Sequence, residues 1–270
     1  SYYAQFVHQQ NMLQDTVRTS MYHQAIIANG PNAFRGKTVV DVGAGSGILS
    51  YFAVQAGAEK VYAVEASGMA KNIRKMVDAA PVSNPWMKGR VDVVAAKVEE
   101  AEIPRVDTLI SEPIGVLLVH ERMLESYLYA RDNFLKPGGT MIPSTGTIFL
   151  APFTDATLWT QTMAKVRFWE QSNFYGVNFA TPLSTPPRTQ IDLPSHSLTL
   201  RNGQPVVGNF DSRILLAPSC SHFVDFQTVT SLELQDITIP ISWSVPFTGK
   251  GLVAEGLILG PFLRVRPRVI

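Results

Sequence analysis

The sequence has a single cysteine, Cys220, among 270 residues, which excludes an intrachain disulfide framework. A lone cysteine of this kind is expected to be a buried structural thiol in a protein from a reducing compartment. Charge of one sign is not in excess either, since 23 basic and 22 acidic residues leave a formal net charge of +1. The chain as a whole therefore gives no electrostatic reason to expect direct nucleic-acid binding or attachment to an anionic membrane.

Long apolar runs are also missing, so no segment has the length needed to span a bilayer. The first residues lack the charged-then-apolar pattern of a signal peptide. The five histidines are scattered without metal-ligand spacing, and no metal site is predicted. Together with 46% hydrophobic residues, these absences predict a soluble intracellular protein of one large or two modest domains.

Residues from about 37 to 150 alternate strand-like and helix-like runs, a pattern typical of a parallel sheet with helices on both faces. The predicted strands are 38–42, 60–64, 91–95, 106–110 and 140–150, the last of them after a Lys-Pro-Gly-Gly turn signal at 136–139. An apolar stripe over 9–28 predicts an amphipathic helical segment that could lie over a ligand crevice. A second stripe predicts a helix over 119–135.

After Pro152 the sequence changes to β-branched runs, prolines and turn residues. Candidate strands at 213–217, 223–229 and 236–243 predict a second, all-β domain. The stretch 174–209 is rich in Pro, Ser and Thr, so it is predicted to be an excursion from that domain. The predicted domains are a helical segment at 1–36, an α/β domain at 37–150 and a β domain at 151–270.

Two glutamates, Glu112 and Glu121, lie in the segment 111–123 that follows the predicted fourth strand. In open α/β sheets the ligand crevice lies beyond the carboxyl ends of the strands, so Glu112 is expected there and Glu121 is expected to face it from a first helical turn. A carboxylate matches the planar fork of a guanidinium, and two carboxylates could clamp one guanidinium group. The alternative is a solvated Glu112 and a Glu121 that only stabilises the helix dipole.

A glycine-rich turn follows the first predicted strand, with Gly43, Gly45 and Gly47 in a Gly-x-Gly-x-Gly pattern. Glycine permits tight turning and close approach of the backbone to a ligand. A dinucleotide fingerprint would need glycine at position 48, where Ile48 stands, so the pattern fits an S-adenosylmethionine loop better. Glu65, at the end of the second strand, has the position of an acidic residue that accepts hydrogen bonds from ribose hydroxyls.

With these features in view, the chain from Tyr3 to about Phe153 resembles the protein arginine methyltransferases, most closely the coactivator-associated, type I kind. The resemblance is carried by the phrases QNMLQDTVRT (10–19), AVEAS (63–67), KVEE (97–100), ERMLESY (121–127) and LAPFTD (150–155). It implies an α/β fold, in which a class I methyltransferase (Rossmann-like) domain is followed by an all-β barrel-like domain. An inserted dimerisation arm is expected at about 174–209.

The resemblance also implies a role for individual residues. Glu112 and Glu121 would be catalytic and bind the substrate arginine. The substrate pocket would be lined by Tyr3, Met12 and Met123. The residues implied to bind the cofactor are Arg18, Asp41, Gly43, Gly45, Gly47, Glu65, Glu99 and Ser126. Within the cofactor set, Arg18 would hold the carboxylate, Glu65 the ribose, and Glu99 with Ser126 the adenine edge.

The implied activity is transfer of a methyl group from S-adenosylmethionine to guanidinium nitrogens of protein arginines, with S-adenosylhomocysteine as the product. Met12 and Met123 match the residues of members that make asymmetric dimethylarginine, so that isomer is expected. The resemblance further implies a homodimer, substrates such as histone tails and arginine-rich RNA-binding proteins, and a location in nucleus and cytoplasm.

The resemblance fades after Trp243, and the family's Thr-His-Trp loop is absent from the sequence. Without that loop, Asp15 has no histidine partner of the kind found in the family. The sequence therefore also fits an incomplete reading of a longer protein, or a scaffold subunit that binds cofactor without turnover. Methylation of a small molecule or base would use the same loop but would leave the two glutamates unexplained.

Overall fold

The computed structural model describes residues 2–180, 210–243 and 256–262. The amino-terminal segment consists of a 3-10 turn, two helices and a π-helical turn. Their bounds are Tyr2–Ala4 for the 3-10 turn, Phe6–Gln14 for α1, Thr16–Ala28 for α2 and Gly30–Phe34 for the π-helical turn.

Five parallel strands and three helices follow as a Rossmann-like unit. The strands are β1 Thr38–Val42, β2 Lys60–Val64, β3 Val91–Val94, β4 Val106–Ser111 and β5 Leu135–Ile142. The helices are α3 Ile48–Gln55, α4 Ala70–Ser83 and α5 Met123–Phe134, with 3-10 turns at Pro85–Met87 and Val98–Glu100. The strand order β3-β2-β1-β4-β5 confirms the predicted class I methyltransferase sheet.

The central strands β1 and β4 are apolar on both faces because helices cover both sides of the sheet. Val39, Val40, Leu109 and Ile110 are each 0% exposed. Helix α2 contributes Ile26 to the hydrophobic core on the first strand's side, so the amino-terminal segment is packed onto the sheet.

The order of the strands reverses beside β1, which has β2 on one side and β4 on the other. The register pairs Val42 with Ser111, and the Ser111 hydroxyl donates to the Val42 carbonyl at 2.7 Å. The next residues, Gly43 and Glu112, therefore leave the sheet side by side. This is the topological switch point at which open α/β sheets bind ligands.

The carboxy-terminal region begins with β6 Thr145–Phe153 and α6 Ala156–Phe168. It continues with a 3-10 turn Ser212–Ile214, β7 Cys220–Asp225, α7 Ser231–Gln235 and β8 Gly256–Phe262. A three-stranded sheet has the order β7-β6-β8. The described residues group into two compact units, one mainly of 2–148 with 223–238 and the other mainly of 149–180 with 210–222.

The stretch 9–28 is helical as predicted, but the chain breaks at Asp15 into two helices, α1 and α2. Asp15 has non-helical backbone angles, and its side chain accepts a hydrogen bond from the Arg18 amide at 3.0 Å. An aspartate in this place is a helix N-cap, which competes with continuation of the helix.

The single strand predicted over 140–150 is wrong, since β5 ends at Ile142 and β6 begins at Thr145. Pro143 has no amide hydrogen for a strand ladder, so the chain changes direction there. The predicted turn at 136–139 lies inside β5. Because β5 is the last strand of its sheet, Pro137 is tolerated at the edge.

The helix predicted over 119–135 begins only at Met123, so Glu121 is not in a first helical turn. Leu117, Leu118, Glu121 and Arg122 all have positive φ angles between 57° and 75°. Such angles are uncommon outside glycine and cluster at functional sites. The segment before α5 is therefore a tight, strained loop and not a helix start.

Of the three strands predicted near the carboxy terminus, 223–229 overlaps β7 in part. The stretch 213–217 is not a strand: it overlaps the 3-10 turn and forms one isolated β-bridge, between Leu215 and Phe153. No strand is found at 236–243 among the described residues. Helix α6 was not predicted, and most of the predicted arm, 181–209, lies outside the described residues.

Replacement of Gly115 by alanine is expected to destabilise the protein by about 3 kcal/mol, because the strained loop leaves no room for a side chain. A Cβ built on Gly115 would lie 1.9 Å from the His120 carbonyl oxygen, a backbone atom that cannot move alone. Urea denaturation measures the loss. The control is Gly68→Ala, whose added Cβ would meet the Ala4 Cβ at an ordinary 3.9 Å; equal stability of the two variants would contradict the packing described.

Candidate active site

The glycine loop after β1 presents bare backbone. Gly43, Gly45 and Gly47 have φ angles of 71°, 55° and 83°, which side-chain-bearing residues rarely adopt. A Cβ on Gly45 would lie 2.9 Å from Gln9 Oε1, and one on Gly47 would lie 2.7 Å from Tyr51 Oη. Gln9 and Tyr51 therefore pack against the loop, and its glycine backbone forms a cradle of the kind that lets a nucleoside cofactor approach closely.

Glu65 follows β2 and joins the loop to the second strand. Its Oε2 accepts a hydrogen bond from the Gly45 amide at 2.7 Å, and its Oε1 accepts one from the Ser67 amide at 2.7 Å. The residue is only 8% exposed. Because each carboxylate oxygen can accept a further bond, Glu65 retains acceptor capacity for the ribose hydroxyls that the sequence predicts it to bind.

Gln9 of α1 was missed by the sequence analysis. It is 5% exposed, its Nε2 donates to the Tyr3 carbonyl at 2.9 Å, and its Oε1 lies over Gly45. It therefore connects the amino-terminal segment to the cofactor loop. The sequence holds two adjacent glutamines, Gln9 and Gln10, and offers no signal that would choose between them.

Asp41, predicted to bind the cofactor, lies inside the protein between β1 and α3 and is 0% exposed. The Ser50 hydroxyl donates to its Oδ2 at 2.7 Å, while Oδ1 has no hydrogen-bond partner among the described residues. Burial raises the pKa of Asp41 to about 7, against the opposing effect of the Ser50 hydrogen bonds. The hydrogen bond between Asp41 and Ser50 therefore links β1 to α3, the strand and the helix that flank the glycine loop.

The buried Asp41 predicts a pH-dependent stability. Its pKa is raised to about 7 in the folded protein, so between about pH 4 and pH 7 the folded state binds more protons than the unfolded state. The stability contributed by the protonated group is complete below about pH 4 and is lost as the pH rises through 7. Asp41→Asn, neutral at every pH, is expected to gain up to about 4 kcal/mol over wild type between pH 4 and pH 8.

Urea titrations of both proteins across this pH range measure that difference. A constant offset between Asp41→Asn and wild type from pH 4 to pH 8 would show that Asp41 does not hold a proton in the folded state.

Glu112 lies at the switch point and is bound to a guanidinium of the chain itself. Arg18 Nη2 donates to Glu112 Oε2 at 2.8 Å, and Arg18 Nη1 donates to the Met12 carbonyl at 3.2 Å. Burial raises the pKa of Glu112, Arg18 lowers it, and the nearby carboxylate of Glu121 raises it again. The structure therefore brings Glu112 and Glu121 within electrostatic reach of each other, as the sequence predicts.

Glu121 is fixed from the amino-terminal segment. The Tyr3 hydroxyl donates to Glu121 Oε2 at 2.5 Å. Met123, two residues on, reaches the loop, since a Cβ built on Gly43 would lie 2.5 Å from its Cε. The double-glutamate segment and the glycine loop are thus in direct contact through Met123.

Glu99 and Ser126 lie together, as predicted for an adenine-edge pair. The Ser126 hydroxyl donates to Glu99 Oε1 at 2.6 Å, and the Tyr129 hydroxyl donates to the Glu99 carbonyl at 3.3 Å. Arg18 and Met12 sit at Glu112, where the Met12 carbonyl accepts from Arg18.

Within the described part of the chain, no cluster of three or more His, Cys, Asp or Glu residues could hold a metal ion. Each helix in that part of the chain is too short or too polar to span a bilayer.

Comparison with known protein families gives a match to the ribosomal protein L11 methyltransferase (PrmA) family over residues 25–144. A curated Oryza sativa subsp. japonica protein, "Probable histone-arginine methyltransferase CARM1", is 49% identical over 245 residues, which are 90% of this chain and 43% of the relative. The Drosophila yakuba protein "Histone-arginine methyltransferase CARMER" is 44% identical over 92% of this chain and 44% of its own length. The chain spans less than half the length of these relatives.

Solved structures of protein arginine methyltransferases have a similar fold. The Trypanosoma brucei PRMT1 enzyme-prozyme heterotetrameric complex with AdoHcy aligns with a TM-score of 0.70 and 28% identity, over 87% of this chain and 66% of that one. Arabidopsis thaliana protein arginine methyltransferase 10 aligns with a TM-score of 0.68 and 34% identity, over 86% and 66%.

Proposed function

Because this chain belongs to the protein arginine methyltransferase family, we propose that it transfers methyl groups from S-adenosylmethionine to guanidinium nitrogens of arginine residues in proteins. The observation that carries this proposal is Glu112, which leaves the sheet beside the glycine loop and already binds a guanidinium, that of Arg18. A carboxylate in this place can present a second guanidinium to the loop.

The residues of the cradle fit the cofactor. Glycine at 43, 45 and 47 lets the backbone of the loop approach a nucleoside closely, and Glu65, with Glu99 beside Ser126, supplies hydrogen-bond acceptors. When bound, S-adenosylmethionine supplies an electrophilic sulfonium methyl group. The chain's own contribution is to hold the acceptor nitrogen in line with that group, which lowers the barrier mainly by positioning.

Glu112 and Glu121 act on the charge of the substrate. A guanidinium keeps its proton at neutral pH because its pKa lies above about 12. Two carboxylates localise the positive charge on one side of the group and leave the other nitrogen more nucleophilic. Burial raises the pKa of Glu112, against the opposing effect of Arg18, and either carboxylate of the pair can accept the proton released after transfer.

The proposed product is asymmetric dimethylarginine, made in a pocket lined by Tyr3, Met12 and Met123. The side chain of Met123 reaches Gly43, which puts a thioether at the junction of the loop and the double-glutamate segment. Methionine fills irregular space and adapts to a methylated guanidinium.

The experiment for the proposed function is incubation of the chain with isotope-labelled S-adenosylmethionine and a panel of arginine peptides, followed by fragmentation mass spectrometry. Asymmetric dimethylarginine is expected. Symmetric dimethylarginine alone would refute the assignment of the product. Cofactor binding without any product would favour a scaffold, and a methylated small molecule or base would favour the other enzyme class.

The domain roles follow from the same proposal. The segment 1–36 covers the cofactor site, 37–150 binds the cofactor, and 151–270 contributes to substrate binding, with the arm at about 174–209 joining two copies as a homodimer. Light scattering is expected to give twice the 29.7 kDa of one chain; a single-chain mass at micromolar concentration would count against the dimer.

The proposed substrates are arginine-containing proteins such as histone tails and RNA-binding proteins, and the proposed location is the nucleus and cytoplasm. The names of the rice and fly relatives support histone arginine as the first substrate to test.

A further inference from the structure

We propose that Tyr22 of α2 is a positioning residue for the proposed reaction. Its buried hydroxyl donates a hydrogen bond to Glu112 when the substrate guanidinium is bound, and this bond holds the Glu112 carboxylate in the orientation that the guanidinium requires. The inference rests on the proposed function, because it takes Glu112 as a ligand of the substrate arginine.

The Tyr22 hydroxyl is a buried polar group without a partner. The residue is 3% exposed, and among the described residues its hydroxyl neither donates nor accepts a hydrogen bond. Tyr127 is the contrast within the same unit, since it is equally buried but its hydroxyl donates to the Pro143 carbonyl at 2.9 Å. A buried hydroxyl without a partner lowers stability, so its presence at Tyr22 points to a role outside the folding of the free protein.

Tyr22 lies beside the double-glutamate segment. It follows Arg18 by four residues in α2, so the two side chains leave the same face of the helix. Arg18 shows where this face points, because its Nη2 lies 2.8 Å from Glu112 Oε2. Glu112 raises the pKa of the Tyr22 hydroxyl more than Asp41 does, although burial has the largest effect. Glu112 is therefore the carboxylate best placed to accept a hydrogen bond from Tyr22.

The two groups are matched as donor and acceptor. Burial raises the pKa of Tyr22 well above its ordinary value, so the hydroxyl keeps its proton at neutral pH and can only be a neutral donor. Glu112 uses Oε2 for Arg18, while its Oε1 accepts no hydrogen bond from the described residues. Hydrogen bonds of catalytic groups are often unformed in a free protein and tighten when the substrate is bound.

A hydrogen bond from Tyr22 also affects the charge of Glu112. A donor to a carboxylate favours its ionised form, which is the form that binds a guanidinium. Several other charged or titratable groups act on Glu112 or on Tyr22, and they are Arg18, Asp15, Asp41, Glu121 and Tyr127. All of them are retained when only the Tyr22 hydroxyl is removed, so a change in pH dependence would report that hydroxyl.

The test is Tyr22→Phe, which removes the hydroxyl and keeps the ring. With an arginine peptide and S-adenosylmethionine, kcat is expected to fall about tenfold, the effect of losing one hydrogen bond to a charged group. The acidic limb of the pH–rate profile is expected to move up by about one pH unit, because Glu112 loses a donor that favours its ionised form. The affinity for S-adenosylhomocysteine is expected to stay unchanged.

Tyr62→Phe is the matched control, since it makes the same change at a half-buried tyrosine in β2. It is expected to leave kcat and the pH–rate profile as in wild type.

Urea denaturation without ligands gives a readout that does not depend on activity. Tyr22→Phe is expected to be at least as stable as wild type, because the hydroxyl that it removes has no partner in the free protein. Tyr127→Phe is expected to lose stability, because it leaves the Pro143 carbonyl without its donor.

A Tyr22→Phe enzyme with the kcat and pH–rate profile of wild type would overturn the proposal. A loss of stability with an unchanged pH–rate profile would assign the hydroxyl to the folded protein, with Asp41 as its acceptor, and would overturn the proposal as well. A wild-type protein that binds S-adenosylhomocysteine but methylates no arginine peptide would instead contradict the proposed function, on which the role of Tyr22 depends.

Discussion

Glu121→Gln is expected to lower kcat by about 100- to 1000-fold while the dissociation constant for S-adenosylhomocysteine stays within about twofold of wild type. Glutamine has the same shape, and its amide oxygen can still accept the Tyr3 hydrogen bond seen at Glu121. The negative charge that polarises the substrate guanidinium is lost. Steady-state kinetics with an arginine peptide, and calorimetry with S-adenosylhomocysteine, measure the two quantities.

Glu112→Gln is expected to act in the same direction, because it removes the second carboxylate of the pair. Glu59→Gln, at an exposed glutamate before β2, is the matched control and is expected to leave kcat unchanged. A Glu121→Gln enzyme with a near-normal kcat would show that the two glutamates do not bind the reacting guanidinium.

Glu65→Ala is expected to weaken cofactor binding by about 100-fold or more. The change leaves the amides of Gly45 and Ser67 without their acceptor and removes the oxygens proposed to bind the ribose. A loss of about 2.7 kcal/mol corresponds to that factor and is within the usual cost of leaving buried groups unpaired. Calorimetric titration with S-adenosylhomocysteine measures it.

Glu65→Gln tests the same role with a smaller change. Its side-chain oxygen remains as an acceptor, but its NH2 group only donates and cannot accept from a backbone amide. An intermediate loss, about tenfold, is expected. If Glu65→Ala kept a dissociation constant within threefold of wild type, the loop would be organised by other groups and the ribose assignment would fail.

The sheet could be predicted from the sequence because its strands are short apolar runs bounded by turn residues. The positions of β1 and β2 were predicted residue for residue, and β4 was predicted to within one residue. The carboxyl ends of parallel strands share one edge of the sheet, which put Glu112 at the same edge as the glycine loop. The apolar runs reveal the strand positions because parallel strands are buried on both faces.

Local breaks in these elements could not be predicted in the same way. Asp15 caps α2 through one side-chain hydrogen bond. The apolar pattern over 9–28 does not predict a break at a single capping residue. The loop before α5 requires positive φ angles at Glu121 and its neighbours, and such angles are unfavourable for these residues locally. Packing of the buried Leu118 holds the loop in this conformation.

Side-chain partners were the least predictable part of the site. The sequence places Arg18 and Glu112 94 residues apart, and only the folded chain shows that the two form an ion pair. The burial of Asp41 between strand and helix is equally invisible in the sequence, because the same aspartate could face the open side of the loop.

The most direct measurement is a crystal structure of the chain with S-adenosylhomocysteine and an arginine peptide. The expected result has the peptide guanidinium within about 3.2 Å of both the Glu112 and Glu121 carboxylates. A guanidinium bound away from both glutamates would contradict the account.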